Sequence, residues 1–310
     1  MHAAVVTSFS APPQYASFED PVVSGPDELV VDVLAAGLHQ RVRSAADGTH
    51  YESDGQLPLI PGFDGVGRDA DGALRYFILP DTRLGSMAER VAIDARRSVV
   101  LPDDVDPVVL AAAMNPAMSA WLALRRRIDF TPGSNVMVLG ATGNAGRMAV
   151  QIARHLGAAS VVGAARPSAR LDALLALGAD RVVALDDVGP AAGDVDVVLD
   201  YLWGTATAAA LPAVLTARPD RGRPLTWIQI GSMAGLDLTV PSAWLRAARL
   251  ALVGSGQGSV PTRDIVAELP ALAAHLTTNA YTIDATPTPL AEVATAWTAP
   301  RSTNRIVFTP

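Results

Sequence analysis

Short apolar runs alternate with stretches of helical periodicity through the middle of the chain. The pattern predicts strands at Val136–Leu139, Ser160–Ala164, Arg181–Ala184, Val195–Asp200, Leu225–Ile230 and Leu250–Val253. It predicts helices between several of them, at Ala145–Leu156, Ser168–Leu177 and Thr205–Ala217. Strands that are apolar along their whole length are typical of a parallel sheet covered by helices on both faces. The middle of the chain is therefore expected to form a doubly wound α/β domain.

The two ends of the chain show a different pattern. Short alternating runs at Ala3–Val6, Glu28–Ala35 and Ser86–Ile93 stand among Pro, Gly and Asp residues, which indicates antiparallel β structure with long loops. Near the C-terminus, Pro289–Trp297 predicts an amphipathic helix and Arg305–Thr309 a final strand. We expect that strand to pair with the N-terminal β region. The α/β domain is then an insertion between two parts of another domain, with a cleft between them.

Composition narrows the possible functions. Half of the 310 residues are hydrophobic, 18% are charged and the formal net charge is -7, which argues against a nucleic-acid or anionic-membrane partner. The chain contains no cysteine, so disulfides, thiol nucleophiles and thiolate zinc sites are excluded. Every cation among the 24 Lys and Arg residues is arginine. Schiff-base chemistry is therefore excluded, and arginine is the available bidentate phosphate binder.

Neither a membrane span nor a secretory signal peptide is expected from the sequence. No uninterrupted apolar run reaches the roughly 18 residues needed to span a bilayer. The N-terminus lacks the charged and then apolar arrangement of a signal peptide. A cytoplasmic protein that acts on a small molecule is the expectation.

The strongest motif is a glycine-spaced turn between a predicted strand and a predicted helix. Gly140, Gly143 and Gly146 stand in this turn, and the N–H groups of Thr142, Asn144 and Ala145 lie at or before the start of the helix. Glycines let the backbone approach a pyrophosphate, and the helix N-terminus supplies donors and positive dipole. The context predicts a dinucleotide site; a simple tight turn is the alternative.

The end of the next strand bears on the choice of cofactor. A carboxylate there would bind the ribose 2′-hydroxyl of NAD and repel a 2′-phosphate. This chain has Arg166, Ser168 and Arg170 instead, about 20 residues after the glycine turn, where the adenosine ribose is expected. We therefore expect NADPH. The alternative is that these are solvated residues at the start of a helix.

Taken together, the motifs resemble one family in their order and spacing. They are Leu34–His39, Pro58–Gly67, Gly85–Glu89, Leu101–Asp103, Gly140–Gly146, Leu177–Asp180, Val195–Asp200 and Pro289–Val293. The chain resembles the medium-chain dehydrogenase/reductases, and within them the zinc-independent quinone oxidoreductase-like branch. The resemblance implies a Rossmann doubly wound sheet, residues 116–274, inserted in a GroES-like, mostly antiparallel β catalytic domain, residues 1–115 plus 275–310.

The chain departs from the zinc-dependent members of that family. Where those members have a cysteine and a histidine as metal ligands, this sequence has His39 and Phe63. The third, cysteine ligand is also missing, so no metal site is expected. Without a Lewis acid to stabilise an alkoxide, reversible alcohol oxidation is disfavoured. Reduction of an electrophilic quinone or enone does not need one.

The resemblance also implies site residues. In the family, the turns after the later strands line the cofactor, and here these turns contain Leu202, Gly231, Ser232, Gly254 and Ser255. Asn304, just before the final strand, resembles a position that reaches the cofactor in many relatives. Trp203 belongs to one of these turns or to the core between the domains. Tyr51 resembles a tyrosine that faces the nicotinamide in quinone reductases and donates or orients a proton in enoyl thioester reductases.

Two further residues are candidates for the catalytic group. Asn115 resembles the Asn-Pro of the enoyl reductases, although Asn-Pro is also a helix-start signal. His39 is a minor candidate because it occupies a former ligand position and titrates near neutrality; a hydrogen-bonded wall is its alternative role.

The expected activity is zinc-independent, NADPH-dependent hydride transfer to a quinone or an α,β-unsaturated carbonyl. Two alternatives remain: a 2-enoyl thioester reductase, and a non-catalytic NADPH-binding redox sensor. Family members of this type usually dimerise through the sixth strand of the Rossmann sheet. Leu236–Val240 and Leu250–Val253 are apolar enough for that, so a homodimer is expected.

Overall fold

The computed structural model describes residues 1–50, 53–80, 82–278, 281–300 and 304–310. Two compact units are formed, one by Met1–Asn115 with Val266–Pro310 and the other by Pro116–Ile265. Both boundaries fall inside long helices, Pro107–Leu122 and Thr262–Thr278. The limits drawn from the sequence share the first boundary and place the second later in the same helix.

The described strands and helices follow in chain order. The strands are β1 (His2–Val5), β2 (Gln14–Ser17), β3 (Glu28–Gly37), β4 (Asp64–Asp69), β5 (Leu74–Ile78), β6 (Arg90–Asp94), β7 (Ser98–Val100), β8 (Asn135–Leu139), β9 (Ser160–Ala165), β10 (Arg181–Ala184), β11 (Val197–Asp200), β12 (Leu225–Gln229), β13 (Leu250–Gly254), β14 (Ala285–Pro289) and β15 (Arg305–Thr309). The helices are α1 (Gln40–Ala46), α2 (Pro107–Leu122), α3 (Asn144–His155), α4 (Ala169–Asp172), α5 (Val188–Ala191), α6 (Gly204–Ala217), α7 (Ser242–Ala247), α8 (Thr262–Thr278) and α9 (Val293–Thr298).

The unit Pro116–Ile265 is built on a parallel sheet of six strands, in the order β10-β9-β8-β11-β12-β13. Every pair in the sheet is parallel. Its core packs apolar side chains of the strands against the crossover helices, with Met137, Val198 and Trp227 fully buried. This confirms the doubly wound sheet that the apolar runs predict. The second predicted helix of the set, Ser168–Leu177, is interrupted, since α4 is followed by a separate 3₁₀ turn at Leu175–Leu177.

The other unit contains a sheet of seven strands and the β1–β2 hairpin. The pairs among β3, β4, β5, β6 and β7 are antiparallel, and β15 also joins β3 in antiparallel register, Val307 opposite Gly37. By contrast, β14 runs parallel to its neighbour, β15. The final strand therefore does pair with the N-terminal β region, and the mostly antiparallel sheet is confirmed.

Two predicted elements of this unit are wrong in extent. The predicted strand over Ser86–Ile93 is too long at its start, and β6 begins only at Arg90. The backbone N–H groups of Gly85 and Met87 instead donate to Ile60 and Pro61, at 2.8 and 3.0 Å. The helix expected over Pro289–Trp297 is a 3₁₀ turn followed by α9, since Pro289 still belongs to β14.

One helical stretch has the length and hydropathy of a membrane span. It covers the 21 residues Pro107–Arg127, and 72% of its apolar window is buried inside the protein. Such burial is what a core helix shows, so this stretch is weak evidence for a membrane segment.

Candidate functional site

The glycine turn between β8 and α3 forms as the sequence predicts. Gly140 adopts a φ of +80°, a conformation that glycine accepts without strain. The backbone N–H groups of Gly140 and Ala141 donate to Ala164 at 2.9 and 3.1 Å, which anchors the turn to the end of β9. Helix α3 then begins at Asn144, with Gly143 as its N-cap. The first N–H groups of this helix point at the turn without partners inside the helix.

The two later glycines of the turn have different roles. A Cβ on Gly146 would overlap the carbonyl oxygen of Gly140 and lie 2.6 Å from Cα of Ala141, so only glycine lets α3 pack against the turn. Gly143 has an ordinary φ of -74°, and its Cβ would meet only the Gly140 oxygen, at 3.4 Å. Gly143 is therefore not required by the turn conformation. Its missing side chain leaves the face above the helix N-terminus open, as a bound phosphate requires.

The other predicted cofactor residues of this unit lie at the same edge of the sheet. Because all six strands are parallel, the turns after β8, β9, β11, β12 and β13 meet at their carboxyl ends. Chain order reverses between β8 and β11, whose last residues Leu139 and Asp200 are paired. Ligands of open α/β sheets bind at this kind of switch point. The edge brings together Gly140, Thr142, Gly143, Asn144, Ala145, Gly146, Arg166, Ser168, Arg170, Leu202, Gly231, Ser232, Gly254 and Ser255.

A buried carboxylate organises the turn after β11. Asp200 is fully buried and accepts hydrogen bonds from the backbone N–H groups of Leu202 and Trp203, at 2.8 and 3.0 Å. It also accepts the Thr207 hydroxyl at 2.6 Å and the indole N–H of Trp227 at 2.9 Å. Four donors therefore converge on one carboxylate. Sequence reasoning missed this role, although an acid that ends an apolar strand is a usable signal.

The residues expected to bind a 2′-phosphate follow β9. Arg166 and Ser168 are exposed and Arg170 is partly exposed. Among the described residues, neither guanidinium has a hydrogen-bond or ion-pair partner, and the Ser168 hydroxyl caps no N–H of α4. The strand ends on Ala165 without a carboxylate. The guanidinium groups of Arg166 and Arg170 and the Ser168 hydroxyl therefore follow β9, at the position where a carboxylate would select NAD.

The unit Met1–Asn115 with Val266–Pro310 holds a buried polar cluster around His39. The imidazole Nε2 lies 3.0 Å from Oδ1 of Asp64, and the Tyr76 hydroxyl donates to Oδ2 of the same carboxylate at 2.9 Å. Arg305 is 8% exposed and donates to the Leu38 carbonyl at 3.0 Å. Its Nε is buried without a hydrogen bond among the described residues. These hydrogen bonds hold the buried side chains of the cluster in fixed positions.

The pKa values of this cluster follow from its burial. Burial lowers the pKa of His39 below its ordinary value of 6.5, and the bond to Asp64 only partly opposes this. Burial raises the pKa of Tyr76 and lowers the pKa of Arg305 to about 10. A neutral His39 donates Nε2–H to the carboxylate, which leaves Nδ1 as an acceptor. The imidazole is therefore a positioned acceptor at neutral pH and not a proton donor.

The lowered pKa of His39 predicts a pH dependence of stability. In the unfolded chain an imidazole binds a proton below about pH 6.5, while the folded state resists it. The stabilisation is therefore fully present above pH 6.5 and is lost as the pH falls, by at most about 1.4 kcal/mol per pH unit. Urea unfolding between pH 7.5 and 5.5 should show a shallower decline for His39→Asn than for the wild type. His2→Asn, at an exposed position, is the matched control, and an unchanged slope in His39→Asn would contradict the prediction.

Phe63, which the resemblance places at a metal-ligand position of zinc-dependent family members, packs against Arg41. The Arg41 guanidinium lies 3.7 Å from the centre of its ring, a cation–π contact. Both side chains line a cavity of about 150 Å³ together with Leu59, Pro61 and Arg83. Among the described residues, no group of three His, Asp or Glu side chains is placed to hold a metal ion. The cavity presents an aromatic face and cationic groups.

The remaining predicted residues are placed unevenly. Tyr51 lies outside the described residues. Asn115 is partly buried in the interior of α2, so the alternative that Asn115 caps a helix before Pro116 is wrong. The helix begins earlier because Asp106 accepts the N–H groups of Val108 and Val109, at 2.8 and 3.2 Å. Among the described residues, the Asn115 amide has no hydrogen-bond partner.

Asn304 lies just before β15, in the unit that does not contain the glycine turn. Its side-chain amide donates to the Thr286 hydroxyl at 3.3 Å. Its role at a cofactor stays a prediction.

The glycine turn, the switch-point crevice and the free arginines define a dinucleotide-binding α/β protein. No family model matches the chain. It is 33% identical to the probable NADPH-dependent quinone reductase tdiC of Emericella nidulans, over 96% of both chains. A crystal structure of the quinone oxidoreductase from Thermus thermophilus, which is also known as a complex with NADPH, covers all of both chains with a TM-score of 0.85 and 26% identity.

A shorter match is the chloroplastic NADPH-dependent alkenal/one oxidoreductase of Arabidopsis thaliana, 27% identical over 51% of this chain and 45% of that protein. The chain belongs to the quinone oxidoreductase-like branch of the medium-chain dehydrogenase/reductases.

Proposed function

We propose that this protein is an NADPH-dependent, zinc-independent reductase of quinones or α,β-unsaturated carbonyls. The observation that carries the proposal is the pair of unpartnered guanidinium groups after β9, Arg166 and Arg170, beside an open glycine turn. The quinone and alkenal/one reductases among its relatives support it. The unit Pro116–Ile265 then acts as the dinucleotide-binding domain and the other unit as the catalytic domain.

The chain's own residues fit this cofactor. Thr142, Gly143, Asn144, Ala145 and Gly146 would hold the pyrophosphate through backbone N–H groups, and Arg166, Ser168 and Arg170 the 2′-phosphate. Leu202, Gly231, Ser232, Gly254, Ser255 and Asn304 complete the proposed set. Bound NADPH would supply the hydride from its nicotinamide ring.

The proposed catalytic residues donate or orient hydrogen bonds at the acceptor oxygen, on which negative charge develops. The Asn115 amide is available as a donor, and we assign the proton-donating or orienting role to Tyr51. We assign His39 an orienting role as a hydrogen-bond acceptor through Nδ1, because its Nε2–H already donates to Asp64. We further propose a cytoplasmic homodimer that pairs along β13, an edge strand of the sheet, with the exposed Leu236 as an additional apolar contact. The sedimentation mass tests the dimer.

The test is NADPH oxidation with naphthoquinones, simple enones and enoyl thioesters. Turnover with quinones or enones supports the proposal. Exclusive use of thioesters would make the protein a 2-enoyl thioester reductase, an alternative that the free Asn115 amide favours. Tight NADPH binding without any turnover would indicate a redox sensor.

Cofactor choice is tested with Arg166→Ala and Arg170→Ala. Each charge-assisted bond lost weakens binding by about 1.5–3 kcal/mol, so kcat/KM for NADPH should fall by about 10- to 100-fold in each variant while kcat/KM for NADH changes little. Arg221→Ala is the matched control, because Arg221 is exposed and precedes β12 at the opposite edge of the sheet. A wild-type preference for NADH would refute the assignment.

A further inference from the structure

Trp203 has a backbone conformation that tryptophan rarely adopts. Its φ of 55° and ψ of -161° lie close to a region that is populated almost only by glycine. Among the described residues it is the one non-glycine residue with positive φ. A residue with a β-carbon is strained in this conformation, which destabilises the fold. Strain of this kind clusters at functional sites.

The surrounding structure imposes this conformation. The Trp203 N–H donates to Asp200 at 3.0 Å, and its carbonyl accepts the Thr207 N–H at 3.3 Å, so both backbone groups are fixed. The preceding carbonyl, of Leu202, accepts the N–H of Ala234 at 2.7 Å. A Cβ on Gly204 would lie 2.5 Å from the Ala234 oxygen, so the next turn of the chain packs directly behind residue 204. The turn cannot relax at Trp203 alone.

The Trp203 side chain has no evident packing role within its own unit. It is partly exposed, and the hydrophobic cluster of the unit includes Leu202 beside it but not Trp203. Among the described residues, its ring has no aromatic partner and its indole N–H no hydrogen-bond partner. Trp227, by contrast, is fully buried and donates to Asp200.

The position of Trp203 is the switch point of the sheet. It stands three residues after the end of β11, and Leu202 next to it packs within 3.0 Å of where a Cβ on Gly140 would be. The partly exposed indole of Trp203 therefore belongs to the turn at the carboxyl end of β11, the edge of the sheet where ligands of such folds bind. Aromatic rings prefer to stack on other flat ring systems.

We propose that Trp203 is a specificity-determining residue whose indole stacks on a flat aromatic acceptor, so that the enzyme favours ring-fused quinones over small acyclic enones. The inference rests on the proposed reductase function. The strained backbone is then the cost of presenting an aromatic surface at a position where glycine would be more stable.

Three variants separate the side chain from the strain. Trp203→Phe keeps an aromatic ring, Trp203→Leu keeps the β-carbon and the strain, and Trp203→Gly removes both. KM for 1,4-naphthoquinone should rise about 2- to 12-fold in the Leu and Gly variants, the range of an aromatic pair, and less in the Phe variant. KM for but-3-en-2-one and for NADPH should stay unchanged. The apo-protein melting temperature should rise by at least about 2 °C in Trp203→Gly but not in Trp203→Leu.

The outcomes are distinguishable from failure of the proposed function. A wild-type protein that reduces no acceptor refutes the reductase. The stacking role is still tested in that case, by whether 2-naphthol, which the enzyme cannot reduce, quenches tryptophan fluorescence in the wild type and not in Trp203→Leu. Equal naphthoquinone KM values in the wild type and Trp203→Leu would overturn the inference. So would a rise confined to the KM for NADPH, which would place the indole against the cofactor.

Discussion

Replacing Gly146 by alanine should abolish NADPH binding, whereas the same change at Gly143 should leave the fold intact. The new Cβ at position 146 overlaps the backbone of Gly140 and Ala141, and backbone cannot move aside as a flexible side chain can. The gain in helix propensity, about 1 kcal/mol, is smaller than the combined cost of overpacking, about 1–3 kcal/mol, and of displacing α3 from the turn. Because the N–H groups of α3 move with the helix, the proposed pyrophosphate site is lost together with the packing.

Gly143→Ala is the matched variant for this prediction. Its φ suits alanine and its Cβ would meet only one oxygen, at 3.4 Å, so the melting temperature should stay within about 2 °C of the wild type. The methyl group would nevertheless occupy the open face above the helix, and the Kd for NADPH should rise at least about 10-fold. Calorimetric titration and thermal unfolding measure the two effects separately. Wild-type affinity in Gly143→Ala would mean that the pyrophosphate does not approach this face.

The parallel sheet could be predicted from the sequence because its strands carry their own signal. Val136–Leu139 and its neighbours are apolar on both faces and are separated by helical periodicity, so local pattern and tertiary environment agree. All six predicted strands form, with ends shifted by at most two residues, as at Val195, where β11 begins at Val197. The glycine turn could be predicted for the same reason, since its strand and helix are adjacent in the chain.

The errors fall where distant segments decide the local structure. The stretch from Ser86 reads as a strand, but Gly85 and Met87 bond to a loop near Ile60, which a local pattern does not show. Asn115 and Pro116 read as a helix start, but the buried apolar surface of α2 continues through them from a cap at Asp106. Tertiary burial overrides the local signal in both cases.

The buried polar residues that fix the candidate site were the hardest to predict from the sequence. Asp64 joins His39 to Tyr76 across strands β4 and β5, and Arg305 comes from the far end of the chain. No spacing in the sequence relates these residues. The strain at Trp203 is likewise invisible, because it arises from the bonds that converge on Asp200 and from the packing of Ala234 behind Gly204.

Asp200→Ala should be among the most destabilising single changes in the unit Pro116–Ile265. It leaves four donors without an acceptor, and two of them, on the fully buried Thr207 and Trp227, cannot reach water. An unsatisfied buried donor costs about 1–3 kcal/mol, so the free energy of unfolding should fall by at least about 3 kcal/mol in urea titrations. Asp200→Asn keeps one acceptor oxygen and should lose less. Thr207→Val removes a single donor and should cost about 1 kcal/mol, which makes it the matched control.

A double-mutant cycle connects this carboxylate to the conformation of Trp203. If Asp200 holds residue 203 at positive φ, then Trp203→Gly relieves strain only while that hold exists. The stabilisation from Trp203→Gly, about 1–3 kcal/mol in the wild-type background, should shrink in the Asp200→Ala background, where the Trp203 N–H has lost its acceptor and the chain can relax. The interaction energy expected for residues in one network is about 0.5–3 kcal/mol. Strict additivity would show that the strained turn is imposed by the packing of Ala234 and Gly235 and not by the carboxylate.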